Sequence, residues 1–259
     1  MNTSQLQINT RKKVLQMVLQ SQEGHVASSF SILEMLIAIY KYLEITGRTH
    51  KFCSHTILSK GHGVYALYAV MSEIGKLDDD DLAQIGQYGS YLIGHVPHNP
   101  EKNFFVGTGS LGQGLPMALG QAYANQRDGD TTPQFVIIGD GEFNEGSCWE
   151  TLLLMQKFPR CRMRVFVDNN HSSTRGIPMQ NVLEAVRHGW KTIDINGHDV
   201  AGLVNVLVDA DTDDNLIIIC DTKKGYPLQA MLNPMWHHRM PNAQEVESFD
   251  QEITEYFGG

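Results

Sequence analysis

Phe135-Val136-Ile137-Ile138-Gly139-Asp140-Gly141-Glu142-Phe143-Asn144-Glu145-Gly146 is the stretch on which the reading of this chain turns. Four apolar residues in succession, three of them β-branched, predict a strand buried on both faces, and Gly-Asp-Gly predicts the tight turn that ends it. Alone, such a turn is an ordinary loop. Downstream, however, Val165-Phe166-Val167 is followed by Asp168-Asn169-Asn170, so a second strand ends in polar residues thirty positions after Asp140. Further apolar runs at Ile193-Asp194-Ile195 and Leu216-Ile217-Ile218-Ile219 alternate with helical segments. The pattern predicts an α/β fold, a parallel sheet with helices on both faces, whose chemistry lies just beyond the carboxyl ends of its strands. There the glycines admit close approach of phosphate oxygens. Asp140 offers a hard oxygen to a cation gripping those phosphates, and Asn170 a second, neutral one.

Outward from this centre, the first quarter is predicted helical, with apolar spacings of three and four through Val14, Leu15, Val18 and Leu19 and again from Phe30 to Leu43. The acidic run at residues 76–81 is expected to open a solvated helix. The segment from Thr222 to Pro241, rich in Gly, Pro, Met, Trp and His, is expected to be an ordered loop over a site, with an amphipathic helix after it. The 259 residues suit one large domain spanning 1–259. With 42% apolar and 19% charged residues, and no uncharged apolar run of about eighteen, the chain reads as soluble rather than membrane-spanning. The N-terminus lacks the apolar block of an export signal, so a cytoplasmic location is expected. A net charge of −9 without a basic cluster argues against nucleic acid as a partner. The four cysteines form no CxxC pair, which argues against a zinc ribbon or a disulfide framework.

Several segments together resemble the transketolases: Gly24-His25, Ser59-Lys60-Gly61-His62-Gly63, Gly94-His95, Thr108-Gly109-Ser110-Leu111-Gly112-Gln113-Gly114, and Asn196-Gly197-His198-Asp199, in the family's order. The Gly-Asp-Gly and Asn-Asn pair resembles that family's thiamine diphosphate motif. The similarity runs from about residue 10 to about residue 240 and covers the N-terminal, diphosphate-binding region of a full-length transketolase. It implies a thiamine diphosphate-binding fold, thiamine diphosphate as cofactor, and Mg2+, or Ca2+ or Mn2+ in its place.

Carried over residue by residue, the resemblance makes Asp140, Asn170 and the Ser172 carbonyl the metal ligands. It assigns His62, Gly141, Glu142, Asn170 and His237 to the diphosphate end, with His238 as an alternative to His237. Gly109 and Leu111 would meet the aminopyrimidine, and Ser110 between them would also bind the cofactor. His25, His62 and His95 would be catalytic, His25 and His95 shuttling protons beside the reacting carbon and the substrate hydroxyls. With eleven histidines in the chain, His55, His98, His171 and His188 have no matched role. Glu145 and Glu150 resemble residues of the family's subunit interface. The activity implied is transfer of a two-carbon ketol unit from a ketose, or ketose phosphate, to an aldehyde or aldose. A separate pyrimidine-binding, C-terminal-type subunit would bring the activating glutamate, in a heterotetramer of two plus two chains. Ser172 and Ser173 depart from the apolar residue followed by Gln or Thr in many relatives, and residues 223–227 also differ.

Other readings remain open on sequence grounds. Gly107 to Gly112 formally matches GxGxxG, but only Phe104-Phe105-Val106 precedes it as a strand, and a nicotinamide site would leave the metal motif unexplained. A thiamine-dependent subunit forming carbon–carbon bonds in a specialised pathway, and a non-catalytic structural subunit, are the alternatives.

Overall fold

The computed structural model describes residues 2–23, 25–173, 176–185, 190–210, 214–237 and 239–258. The chain forms two compact units. One comprises residues 38–60 and 108–222, the other residues 1–37, 61–107 and 223–259.

The first of these carries the sheet: β1 (Thr56–Leu58), β2 (Gln134–Gly139), β3 (Met163–Asn169), β4 (Lys191–Asn196) and β5 (Leu216–Asp221), in the order β1-β2-β3-β5-β4 and parallel throughout. Every residue of β2 is buried, as are Met163 to Asp168 of β3 and Leu216 to Cys220 of β5. Such continuous burial requires cover on both faces, and it explains why these three strands read as unbroken apolar runs. The edge strand β4 behaves differently. Ile193 and Ile195 are half-buried while Thr192, Asp194 and Asn196 are exposed, so here the alternation of a one-sided strand replaces the expected burial.

Two features differ from the sequence reading. Phe104 forms only an isolated bridge to Asn99, so no strand precedes the Gly107 to Gly112 segment. Instead the first strand is β1, three buried residues in register with Phe135, Val136 and Ile137.

The helices are α1 (Thr3–Ser21), α2 (Val26–Phe30), α3 (Leu33–Ile45), α4 (Phe52–His55), α5 (Val64–Glu73), α6 (Asp79–Leu82), α7 (Gly114–Arg127), α8 (Gly146–Met155), α9 (Met179–Ala185), α10 (Val200–Asp209) and α11 (Ala243–Gly258); the helical stretch expected from Phe30 to Leu43 is divided between α2 and α3. α1 packs on α5 and on α11. The acidic run opens α6 as expected, and Asp79 accepts from Lys13 Nζ at 2.9 Å. Residues Val26–Ile45 are long and apolar enough to cross a membrane, although Glu34, Lys41 and Glu44 interrupt them, so they are not the uncharged run whose absence was expected. They are mostly buried within the fold, as befits core helices. Among them, Glu34 pairs with Arg11 at 2.6 Å, both side chains fully buried.

Candidate active site

The register of the sheet brings together the residues expected to hold a metal. Gly139 of β2 lies opposite Asp168 of β3, so the residues that follow, Asp140 on one strand and Asn169-Asn170 on the other, emerge side by side at the carboxyl edge. Asp140 opens a 3-10 turn, Asp140–Asn144. Its Oδ1 accepts from Gly141 N at 2.8 Å and its Oδ2 from Ser173 N at 3.4 Å. Burial raises the Asp140 carboxyl above its ordinary range and nearby Asp168 adds to that, against the Ser173 and Gly141 N–H groups and Lys60.

Asn170 Nδ2 donates to Asp168 Oδ2 at 2.7 Å, and Asn170 Oδ1 accepts from Ser172 N at 3.1 Å. Asp168 also pairs with Lys60 Nζ and accepts from Thr222 Oγ1. Ser172 is exposed, and at Gly141 an added Cβ would meet only Ser173, at 3.5 Å. Among the described residues no group of three or more His, Cys, Asp or Glu could hold a metal ion. The available set is therefore one carboxylate with neutral amide and carbonyl oxygens. These are hard ligands suited to a cation that keeps waters and shares phosphate oxygens, so the residues fit Mg2+ with a diphosphate.

Glu142 is placed differently from expectation. Only 2% exposed, it turns inward: Oε1 accepts from Ser59 Oγ at 2.6 Å and Gly112 N at 2.9 Å, and Oε2 accepts from Gly139 N at 3.0 Å. Its side chain is thus a clamp joining two loops and the end of β2. The clamp fixes the segment carrying Gly109, Ser110 and Leu111, which is also tied at Thr108 Oγ1 to Leu58 O at 2.6 Å. Gly109, Ser110 and Leu111 are all exposed, Leu111 by 41%. Gly112 has φ +76°, and a Cβ there would come within 2.6 Å of both Glu145 Cβ and Ser147 Oγ, so this position requires glycine.

His25, His62 and His95 belong to the other unit. His25, with φ 79°, precedes α2, and His62 occupies the turn Gly61–Gly63; their ring centroids are 5.5 Å apart. His95 is exposed on a loop whose backbone is held by Tyr68 Oη, which donates to Ile93 O at 3.0 Å and His95 O at 3.3 Å. Burial pushes the Tyr68 phenol strongly up, keeping it a donor. Glu23 accepts from Tyr65 Oη at 3.0 Å, and a Cβ on Gly94 would fall 2.1 Å from its Oε2, so the segments before His25 and before His95 meet in close contact. Gly24, His188, His238 and the side chain of His237 lie outside the described residues.

Three of the unmatched histidines have structural partners. His55 lies between Ser54 and Asn125, His98 Nδ1 contacts Phe105 O at 3.1 Å, and His171 Nε2 contacts Asp221 Oδ1 at 2.9 Å. Sequence reasoning did not anticipate the Lys60–Asp168 pair. Both residues stand within quoted motifs, but no spacing rule joins positions 108 apart.

The family profile described as "Transketolase, thiamine diphosphate binding domain" matches residues 3–253. The chain is 28% identical over 257 residues to an apulose-4-phosphate transketolase subunit of Phocaeicola vulgatus, covering 95% of this chain and 91% of that protein. It is 30% identical over 247 residues to the 6-deoxy-6-sulfo-D-fructose transketolase subunit SqwG of a Clostridium species, covering 91% and 90%. Among solved structures, the transketolase of Leishmania mexicana superposes with a TM-score of 0.80 at 21% identity, a likeness of fold. All of this chain is covered there, but it spans only 41% of the length of that transketolase. By the extent of the family match, this chain belongs to the transketolases through their thiamine diphosphate binding domain.

Proposed function

We propose that this chain is the diphosphate-binding subunit of a two-chain transketolase, moving a two-carbon ketol unit from a ketose or ketose phosphate donor to an aldehyde or aldose acceptor. The observation that carries the reading is the pairing of Asp140 and Asn170 at the adjacent ends of β2 and β3, beside glycines open to a phosphate. Two relatives matched over about nine tenths of their length are themselves named as subunits, which supports a separate partner.

In this reading Asp140, Asn170 Oδ1 and the Ser172 carbonyl hold Mg2+, for which Ca2+ or Mn2+ can stand in. Gly141, His62 and His237 serve the diphosphate, Gly109 and Leu111 the aminopyrimidine, and Ser110 between them also binds the cofactor. The Glu142 side chain acts indirectly, by fixing the loops that carry those contacts. Thiamine diphosphate, when bound, supplies a carbanion that attacks a carbonyl and an electron sink for the cleaved bond. The chain's own part is to orient substrate and move protons: His25 and His95 accept and return hydroxyl protons at their imidazole nitrogens. A pyrimidine-binding, C-terminal-type chain brings the acid that activates the aminopyrimidine. Two copies of each chain form a heterotetramer, with Glu145 and Glu150 at the subunit interface.

A ketose outside ordinary pentose exchange is favoured by the departures at Ser172 and Ser173, and by relatives named for apulose-4-phosphate and a sulfofructose. Calorimetric titration of thiamine diphosphate and Mg2+ into the assembled chains tests the proposal. Saturable binding that Asp140→Ala weakens by at least about 100-fold is expected, since a direct ligand outweighs the roughly 10- to 100-fold of an outer-shell partner. No binding by the assembled wild type would favour a purely structural role instead.

A further inference from the structure

Beside the proposed cation ligands lies a buried ion pair, Lys60 and Asp168, to which the proposed function gives no part. Asp168, fully buried at the end of β3, accepts on both of its oxygens. Lys60 Nζ and Asn170 Nδ2 reach Oδ2, the latter at 2.7 Å, and Thr222 Oγ1 reaches Oδ1. Lys60 is only 2% exposed, so this is a desolvated pair rather than a surface contact.

The two ends of an Asn amide are nearly identical in shape and opposite in chemistry. A carboxylate only accepts, so Asp168 admits the nitrogen of Asn170 and rejects its oxygen. The oxygen is thereby turned to the other side, toward the Ser172 N–H at 3.1 Å and the segment that follows β3. Lys60 pairs with the Asp168 carboxylate and balances its charge close to Asp140. A neutral or freely rotating residue at 168 would allow the amide to present either end.

We propose that Lys60 and Asp168 are positioning residues that fix the amide of Asn170 with its oxygen toward the divalent cation, and so set the affinity of the metal site. The proposal rests on the reading of Asp140 and Asn170 as metal ligands. Partners that orient a ligating side chain are typically worth about 10- to 100-fold in metal affinity.

The test is Mn2+ affinity, read as the loss of the free-ion electron paramagnetic resonance signal, for the chain assembled with its pyrimidine-binding partner and thiamine diphosphate. The principal variant is Lys60→Met with Asp168→Leu, which removes both charges together because a buried pair tolerates joint apolar replacement better than loss of one partner. It should bind Mn2+ about 10- to 100-fold more weakly. Asp168→Asn, which keeps an acceptor but no longer dictates the amide's orientation, should fall between that variant and wild type. Thr222→Val removes only the donor on the far oxygen and should bind within about twofold of wild type. Equal Mn2+ affinity in wild type and the double variant would overturn the inference, as would an equal loss in Thr222→Val. If the double variant does not fold, Asp168→Asn with wild-type affinity overturns it alone. Failure of the wild-type complex to bind Mn2+ would instead sink the underlying metal-site reading.

Discussion

Glu142 shows how much of the site depends on a residue that need not touch the cofactor. Its two oxygens accept from Ser59, Gly112 and Gly139, joining the segment after β1, the loop before α7 and the end of β2. In Glu142→Gln one oxygen becomes an NH2 group, which faces a donor wherever it points and leaves a buried N–H or O–H unpaired. With the lost charge assistance, the expected destabilisation is about 2–4 kcal/mol. Urea unfolding checks this, and a loss under about 0.5 kcal/mol would contradict the clamp, being below what a single unpaired buried donor costs. At this scale the sequence was legible where the signal lies in consecutive residues: the placement of Asp140 and Asn170 just beyond two strand ends could be read from short motifs after apolar runs. Glu142 was visible in the same motif but not the direction of its side chain, because facing inward depends on Ser59 and Gly112, which are distant in the chain.

At the scale of elements, β2, β3 and β5 were readable because burial on both faces demands uninterrupted apolar residues. β1 was not, since three residues carry no period. The alternation in β4 was also missed, because edge position follows from strand order rather than from local composition. Among the helices the main unforeseen feature is charge inside the core of α1 and α3. Arg11 donates to Glu34 Oε1 and to the carbonyls of Gln7 and Tyr226, and its guanidinium lies 4.6 Å from the centre of the Phe257 ring on α11. Arg11→Met strands a buried carboxylate and should cost about 3–5 kcal/mol. Arg11→Met with Glu34→Leu should recover most of that loss, because no unpaired charge remains. Scanning calorimetry of the two variants decides the matter; equal melting temperatures would show that the pair's energy does not reside in charge compensation.

For the whole molecule, the family was legible from the order of five glycine-flanked motifs, and the family match from residue 3 to 253 runs through both compact units. The proposed reliance on a second chain came from the resemblance, since what another chain would supply leaves no mark on composition or periodicity. The central claim, that this chain completes a thiamine site only together with a pyrimidine-binding partner, is tested most directly by hydrogen–deuterium exchange at the thiazolium carbon of bound thiamine diphosphate, which needs no knowledge of the sugar. The measurement compares this chain alone, the partner alone, and the two mixed in equal amounts with Mg2+. The account predicts fast exchange only in the mixture and its loss with Asp140→Ala, whereas equally fast exchange on this chain alone, or no acceleration in the mixture, would contradict it.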